Sequence, residues 1–117
     1  MNTPRRLGEG FYSHPFVVTF RIDTLTTSKG EYDKRFDDLE AAIIYASESP
    51  PWKDPTSCYV FRSGRTTGEI AALVARALHK TKDVALVLRA DGPESVLVGN
   101  SENEAALYVA LPQTTKL

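Results

Sequence analysis

The sequence has few of the residues from which reactive centres are built. It contains a single cysteine, Cys58, and two histidines, His14 and His79, so a disulfide within the chain and a cysteine-based metal cluster are excluded. The histidines are too far apart for a His-x-x-x-His pair, and they indicate neither a zinc site nor an acid–base site. Cys58 lies in the apolar run 58–61, where we expect it to be buried as a small hydrophobic residue.

Long apolar segments and an excess of one charge are also lacking. No stretch approaches the roughly 18 apolar residues that span a membrane, and residues 1–10 lack the apolar core of a signal peptide. Lys and Arg number 14 against 15 Asp and Glu, a net charge of −1, so the whole molecule does not attract nucleic acid or acidic membranes. We therefore expect a cytoplasmic protein with no membrane association, in which any contact with nucleic acid is local.

Length and composition predict one folded domain. The 117 residues, 42% hydrophobic and 25% charged, suffice for one hydrophobic core and are too few for two. Residues 1–14 show little periodicity and predict an irregular leader. A domain at 15–100 and a C-terminal extension at 101–117 are expected to follow it.

The first half of the domain has clear periodic patterns. Alternation of apolar and polar residues over 16–22 predicts a strand, and apolar residues spaced by three and four over 32–46 predict a helix. The segment 47–56 contains three prolines, so any strand there must be short and lie at a sheet edge. The β-prone run 57–62 predicts another strand.

The second half begins with a helix signal. Thr66 and Glu69 have the spacing of a capping box, which predicts the start of a second helix. The run 84–88 is apolar throughout and predicts a strand deep in the sheet. The dipeptide Asp91-Gly92 predicts the turn of a hairpin that continues into a strand at 95–98.

The end of the chain leaves two alternatives. Residues 101–104 resemble a further capping box, and 105–110 predict either a short helix or an added strand. In both cases the order of elements is βαββαβ with a C-terminal extension, which predicts an α+β fold, a ferredoxin-like two-layer sandwich. The proline-rich segment then falls on the second strand, which lies at a sheet edge in that fold.

The core-pattern residues between Phe16 and Val98 form a recognisable set. They are the runs 16–20, 57–61, 66–70 and 83–88, together with Tyr32, Phe36, Leu39 and Ile43 of the first helix. In this pattern the chain resembles the small ferredoxin-like subunit of the CRISPR spacer-acquisition complex, its diverged relatives and the GhoS-type antitoxins. The resemblance implies a homodimer that pairs through its sheets or C-terminal strands.

The same resemblance supplies a test for nuclease activity. Members described as metal-dependent nucleases carry an aspartate at the end of the first strand, where the metal bridges two protomers, and Arg21 stands at that position here. Asp23 lies two residues further on, which is the same face of a strand, so it is the candidate catalytic and Mg²⁺-binding residue. Magnesium requires oxygen ligands and is repelled by a cation, so Arg21 favours a protein without nuclease activity and without a cofactor.

Four arginines are candidates for nucleic-acid binding: Arg21, Arg62, Arg65 and Arg89. Three of them end or leave strands that would be neighbours in a ferredoxin-like sheet. With Tyr59 or Phe61 exposed beside them, they would stack and neutralise single-stranded RNA. The alternative is that the arginines are solvated or paired with acids, while the aromatic rings point inward or form a dimer interface.

Trp52 and Tyr59 are the candidate partner-binding residues, since exposed aromatic side chains are favoured at binding hot spots. The alternative for Trp52 is that it closes the edge of the core. Taken together, the sequence predicts a non-catalytic small dimeric interaction protein of bacterial or phage origin, of the antitoxin, inhibitor or accessory-factor type, with a protein partner. The alternative is an RNA-binding protein or a metal-dependent endoribonuclease that uses Asp23 and Mg²⁺.

Overall fold

Residues 13–117 are described by the computed structural model, so most of the expected leader 1–14 lies outside the described residues. His14 does not belong to a leader, because it begins the first strand. The described part of the chain contains five strands and three helices: β1 (His14–Arg21), α1 (Lys29–Ala46), β2 (Cys58–Ser63), α2 (Thr67–Ala77), β3 (Val84–Arg89), β4 (Ser95–Gly99), α3 (Glu104–Ala110) and β5 (Thr115–Lys116). The chain is therefore a mixed α+β protein.

The strands form one sheet in the order β2-β1-β3-β4-β5. Neighbours are antiparallel except β4 and β5, which are parallel. The predicted hairpin across Asp91-Gly92 is confirmed by the β3–β4 pairing. The proline-rich segment 47–56 makes less structure than expected: it contributes one isolated antiparallel bridge, from Trp52 to Val60, instead of a strand. Prolines on both sides of Trp52 remove the N–H groups that would extend the pairing.

Helix α1 begins at a cap that sequence reasoning missed. The Ser28 side chain accepts a hydrogen bond from the backbone N–H of Glu31 at 3.2 Å, which satisfies one of the free donors of the first turn. Leu39, Ile43 and Ala46 are its buried positions. These spacings of four and three put them on one stripe that faces the sheet.

Helix α2 begins at the predicted capping box. The Thr66 hydroxyl accepts from the backbone N–H of Glu69 at 3.1 Å, and the Glu69 carboxylate accepts from the backbone N–H of Thr66 at 2.8 Å. Ile70 and Val74 are buried at 0% and 1% exposure, and each contributes about 1.5–3 kcal/mol by leaving water. The helix ends at Ala77, so His79 lies beyond its last residue.

The main core lies between the two long helices and one face of the sheet. Aromatic side chains of β1 and β2 alternate inward and stack in pairs, with ring centroids 6.1 Å apart for Phe16 and Phe61 and 5.7 Å apart for Phe20 and Tyr59. Valine and alanine side chains continue the same face across the sheet: Val18, Ala85, Val87, Val96 and Val98. The opposite face of the sheet is left without these helices.

Of the two alternatives for 105–110 the structure has the short helix, and a separate two-residue strand, β5, follows it at Thr115–Lys116. Asn103 caps α3 through a hydrogen bond from the backbone N–H of Ala106 at 3.3 Å, so the capping box expected at 101–104 is wrong. A parallel strand–helix–strand connection is almost always right-handed, and from β4 to β5 that hand puts α3 on the face opposite α1 and α2. Leu97 on that face is 2% exposed although it lies outside the main core.

Candidate functional site

The open face of the sheet carries a row of apolar side chains that spans four chain segments. Trp52 is paired with Val60, Val60 with Val17, and Val17 with Leu88. Directly paired residues of adjacent strands point to the same face of a sheet. Because Val17 alternates with the core residue Val18, this row faces away from α1 and α2.

A second row runs beside the first and joins it to the C-terminal extension. Cys58 is paired with Thr19, Thr19 with Leu86, and Leu86 with Leu97. Cys58 and Leu86 are half-buried, and Leu97 is fully covered. We call the two rows from Trp52 to Leu88 and from Cys58 to Leu86 the open face. It is largely apolar, which is unusual for a surface in contact with water alone.

Trp52 projects from one end of the open face. Its side chain is 51% exposed, while its backbone is fixed by two hydrogen bonds to Val60, of 2.8 and 2.9 Å. An aromatic ring held on a fixed backbone and half in water has the properties of an interface anchor. The sequence-based hypothesis that Trp52 binds a partner stays a prediction.

Tyr59 does not share this position. Its side chain is 2% exposed and packs in the main core, and its hydroxyl donates to the Glu40 carboxylate at 3.1 Å. Burial, together with this carboxylate, raises the pKa of the Tyr59 phenol. Phe61 is buried as well, at 3%. The aromatic rings therefore do not lie exposed beside the arginines, and the alternative that they point inward is confirmed, because 59 and 61 are the inward positions of β2.

A polar cleft of about 510 Å³ lies where β1 ends. Arg21 reaches it from the last position of β1, with its Nη1 atom 3.5 Å from an oxygen of Glu102. Lys82 donates from Nζ to the backbone carbonyl of Thr26 across the cleft at 3.3 Å. The lining also contains hydroxyl and amide groups, Thr24, Thr26, Ser57, Thr81 and Asn100, and apolar side chains, Phe20, Ile22 and Leu25.

Asp23 lies at the same cleft, but its carboxylate already binds the loop that follows it. One oxygen accepts from the backbone N–H of Leu25 at 3.2 Å, and the other accepts from the N–H of Thr26 and the hydroxyl of Thr27, both at 3.0 Å. The Thr26 hydroxyl also donates a hydrogen bond to the second oxygen. This bond is the main reason why the pKa of Asp23 lies below its usual range. This carboxylate is a turn-forming group whose oxygens are already occupied.

Asp83 is a buried carboxylate that the sequence did not point to. It is 0% exposed and accepts from the backbone N–H groups of Asp23 at 3.0 Å and of His79 at 2.7 Å. The Nε atom of Arg35, on α1, lies 3.2 Å from it in an ion pair. Asp83 therefore joins the loop at the cleft, the end of α2 and the middle of α1.

The four candidate arginines do not form one surface. Arg62 lies beside the open face, on the same side of the sheet, and donates to the carbonyl and hydroxyl oxygens of Ser13 at 2.7 and 3.0 Å. Arg65 lies 4.7 Å from the ring centroid of Tyr45. Arg89 is paired with Phe16 and so belongs to the helix-covered face. Its Nε donates to an oxygen of Asp91 at 2.6 Å, which raises the pKa of the Arg89 guanidinium. Of the four, Arg21 is the one at the polar cleft.

Within residues 13–117, no three His, Cys, Asp or Glu side chains come together in a group able to hold a metal ion. No helix of this described range is long and apolar enough to cross a membrane. Comparisons of the chain with protein-family models, with curated proteins and with solved structures gave no match. A function for this chain therefore has to be inferred from its own residues.

Proposed function

We propose that the chain is a non-catalytic interaction protein that forms a homodimer through the open face of its sheet. The observation that carries the proposal is the continuous apolar row from Trp52 through Val60 and Val17 to Leu88. Among residues 13–117, helices α1 and α2 cover the other face of the sheet, and we propose that a second molecule excludes water from this one. Two sheets that pack face to face bury such rows about 10 Å apart.

The open face suits a second copy of the same chain because its two ends differ in size. A two-fold axis parallel to the strands and between Val60 and Val17 would place Trp52 of one protomer opposite Leu88 of the other. The bulky indole would then meet the smaller side chain at both ends of the interface. An isologous arrangement of this kind closes on itself and yields a dimer, not a fibre.

We also propose that the fold is a ferredoxin-like sandwich in which the second strand is reduced to the bridge at Trp52. This is supported by β1 lying between β2 and β3, and by the bridge lying outside β2 at the edge of the sheet. Pro51 precedes Trp52 directly, and Pro50 and Pro55 lie close by. Strand β4, α3 and β5 extend this sandwich at the other edge.

The side chains that a nuclease would need are engaged within the protein. Asp23 accepts hydrogen bonds from its own loop on both oxygens, and a metal ion would compete with these donors for the carboxylate. One observation favours the alternative of single-stranded RNA binding, namely that Arg21 and Lys82 reach the same cleft with donors left over. The antitoxin, inhibitor or accessory role remains the main proposal because the apolar row of the open face is continuous across four chain segments.

A gel-shift assay of purified protein with single-stranded RNA, with and without Mg²⁺, separates the two functions. The interaction protein shows no cleavage and no shift at physiological salt, while light scattering across a concentration series gives twice the protomer mass. Mg²⁺-dependent cleavage that is lost in Asp23→Ala would overturn the proposal. A shift without cleavage that is weakened by Arg21→Ala and not by Arg62→Ala would establish the RNA-binding alternative.

A further inference from the structure

The last six residues of α1 are apolar on every side of the helix. Residues 41–46 read Ala-Ala-Ile-Ile-Tyr-Ala, and Ile43 and Ala46 of this run are buried against the sheet at 0% and 4% exposure. Ile44 and Tyr45 point to the opposite side, where they are 56% and 67% exposed. A helix that is apolar all round is typical of burial on both sides, and in this protein one of the sides is uncovered.

Contacts with the loop between β2 and α2 hold this outer surface in one arrangement. The Arg65 guanidinium lies over the Tyr45 ring, 4.7 Å from its centroid, which is a favourable cation–π geometry. Glu48, one turn beyond Ile44, accepts a hydrogen bond from the backbone N–H of Gly64 at 2.8 Å. Tyrosine and arginine side chains that are already ordered lose little entropy on binding, which is a property of interface anchors.

Acidic groups lie at both ends of this surface along the helix axis. Asp37 and Asp38 are one to two turns before Ile44 on the same side of α1, and Glu48 follows the helix end. The last turn of α1 contains no basic residue, so the negative end of the helix dipole is not neutralised there. Two cations compensate part of this negative charge: Lys34, which pairs with Asp38, and Arg65, which lies over the Tyr45 ring.

We infer that Ala41, Ile44 and Tyr45 form a docking surface for an amphipathic helix of a partner protein, with an apolar stripe flanked by Lys or Arg. The apolar centre fits the stripe, and the acidic surroundings and the helix end fit the cationic flanks. This surface is on the helix side of the domain, opposite the open face. The inference rests on the proposed function only in taking the chain to act by contact with another protein.

The surface can be tested with two synthetic helices of about 18 residues, or five turns, one built from Leu and Lys and one from Leu and Glu in the same pattern. Isothermal titration calorimetry with the full chain should give binding of the Leu–Lys helix at one per protomer and at least about tenfold weaker binding of the Leu–Glu helix. Ile44→Asp should weaken binding of the Leu–Lys helix by about tenfold or more. Val109→Asp is the matched control, because Val109 is an 85% exposed apolar residue on α3, and it should bind like the wild type.

Equal affinity of both helices, or equal weakening in Ile44→Asp and Val109→Asp, would overturn the inference. Loss of binding in Val17→Asp with retention in Ile44→Asp would place the helix on the open face and would also overturn it. The two proposals fail separately: a chain that is monomeric in solution but binds the Leu–Lys helix through Ile44 contradicts the dimer alone. Far-UV circular dichroism of each variant shows whether it is folded, and Tyr45→Ala provides a second substitution at the same surface.

Discussion

Removal of the buried carboxylate in Asp83→Ala should destabilise the domain more than any surface substitution. Asp83 is the acceptor for two backbone N–H groups, those of Asp23 and His79, and the ionic partner of Arg35. The Arg35 side chain is 13% exposed, so water can replace the lost carboxylate only in part. The loop at the polar cleft, the end of α2 and α1 would all lose a common contact.

The size of the effect follows from these contacts. Leaving one member of a buried ion pair unpaired costs about 3–5 kcal/mol, and each backbone N–H without an acceptor costs about 1–3 kcal/mol. These two contributions overlap, and relaxation of the loop recovers part of the lost free energy. We therefore expect Asp83→Ala to lower the free energy of unfolding by about 4–6 kcal/mol in total. Domains of this size are stable by about 5–15 kcal/mol, so Asp83→Ala should be close to unfolding. Asp83→Asn keeps one acceptor oxygen and should lose less.

Urea unfolding followed by far-UV circular dichroism measures this difference. Asp91→Ala is the matched control, because Asp91 is also an aspartate paired with an arginine, Arg89, but lies at the surface. That substitution should lower the free energy of unfolding much less, because ion pairs at the surface contribute little. If Asp83→Ala lowers the free energy of unfolding no more than Asp91→Ala does, Asp83 does not join the cleft loop, the end of α2 and α1 as described.

Three further predictions concern single residues near the open face and the cleft. The depressed pKa of Asp23 means that its carboxylate stabilises the folded state above about pH 4, and that this contribution is lost as pH falls through the folded-state pKa. The difference in unfolding free energy between wild type and Asp23→Asn, measured by urea unfolding, should therefore be largest at neutral pH and shrink in acid. A difference that grew in acid would contradict this prediction. Gly99, the last residue of β4, has a φ of +85°, and an added Cβ would lie 2.2 Å from the carbonyl oxygen of Asp83. Gly99→Ala should therefore lower the free energy of unfolding by more than about 1 kcal/mol, and an unchanged unfolding midpoint would refute this prediction. The Cys58 thiol on the open face should react with an aromatic disulfide reagent more slowly as protein concentration rises, because dimerisation covers it. A reaction rate that does not depend on protein concentration would argue against a dimer that buries the open face.

Local signals in the sequence predicted the elements that depend on local interactions. The capping box of Thr66 and Glu69 and the turn at Asp91-Gly92 are confirmed by the structure, since each is decided by residues within a few positions. The alternation over 16–22 also identified the correct inward face of β1. These patterns do not depend on the rest of the chain.

The parts that were mispredicted depend on contacts between distant segments. The run 58–61 has apolar residues at every position, so a period of two could not show that Tyr59 points into the core and Val60 away from it. The same ambiguity hid the open face, although the apolar character of both sides of 84–88 was a signal of it. Nothing local marks Asp83 as buried, because its partner Arg35 is 48 positions away in the sequence.

Sedimentation equilibrium of wild type and Val17→Asp tests the sheet-face dimer most directly. Val17 lies at the middle of the apolar row, where a carboxylate in each protomer would be buried without a partner. Wild type and Ile44→Asp, which alters the other side of the domain, should sediment at twice the protomer mass, while a folded Val17→Asp should sediment at the protomer mass. A wild-type chain that stays monomeric throughout the micromolar range, or a Val17→Asp variant that stays dimeric, would contradict the account.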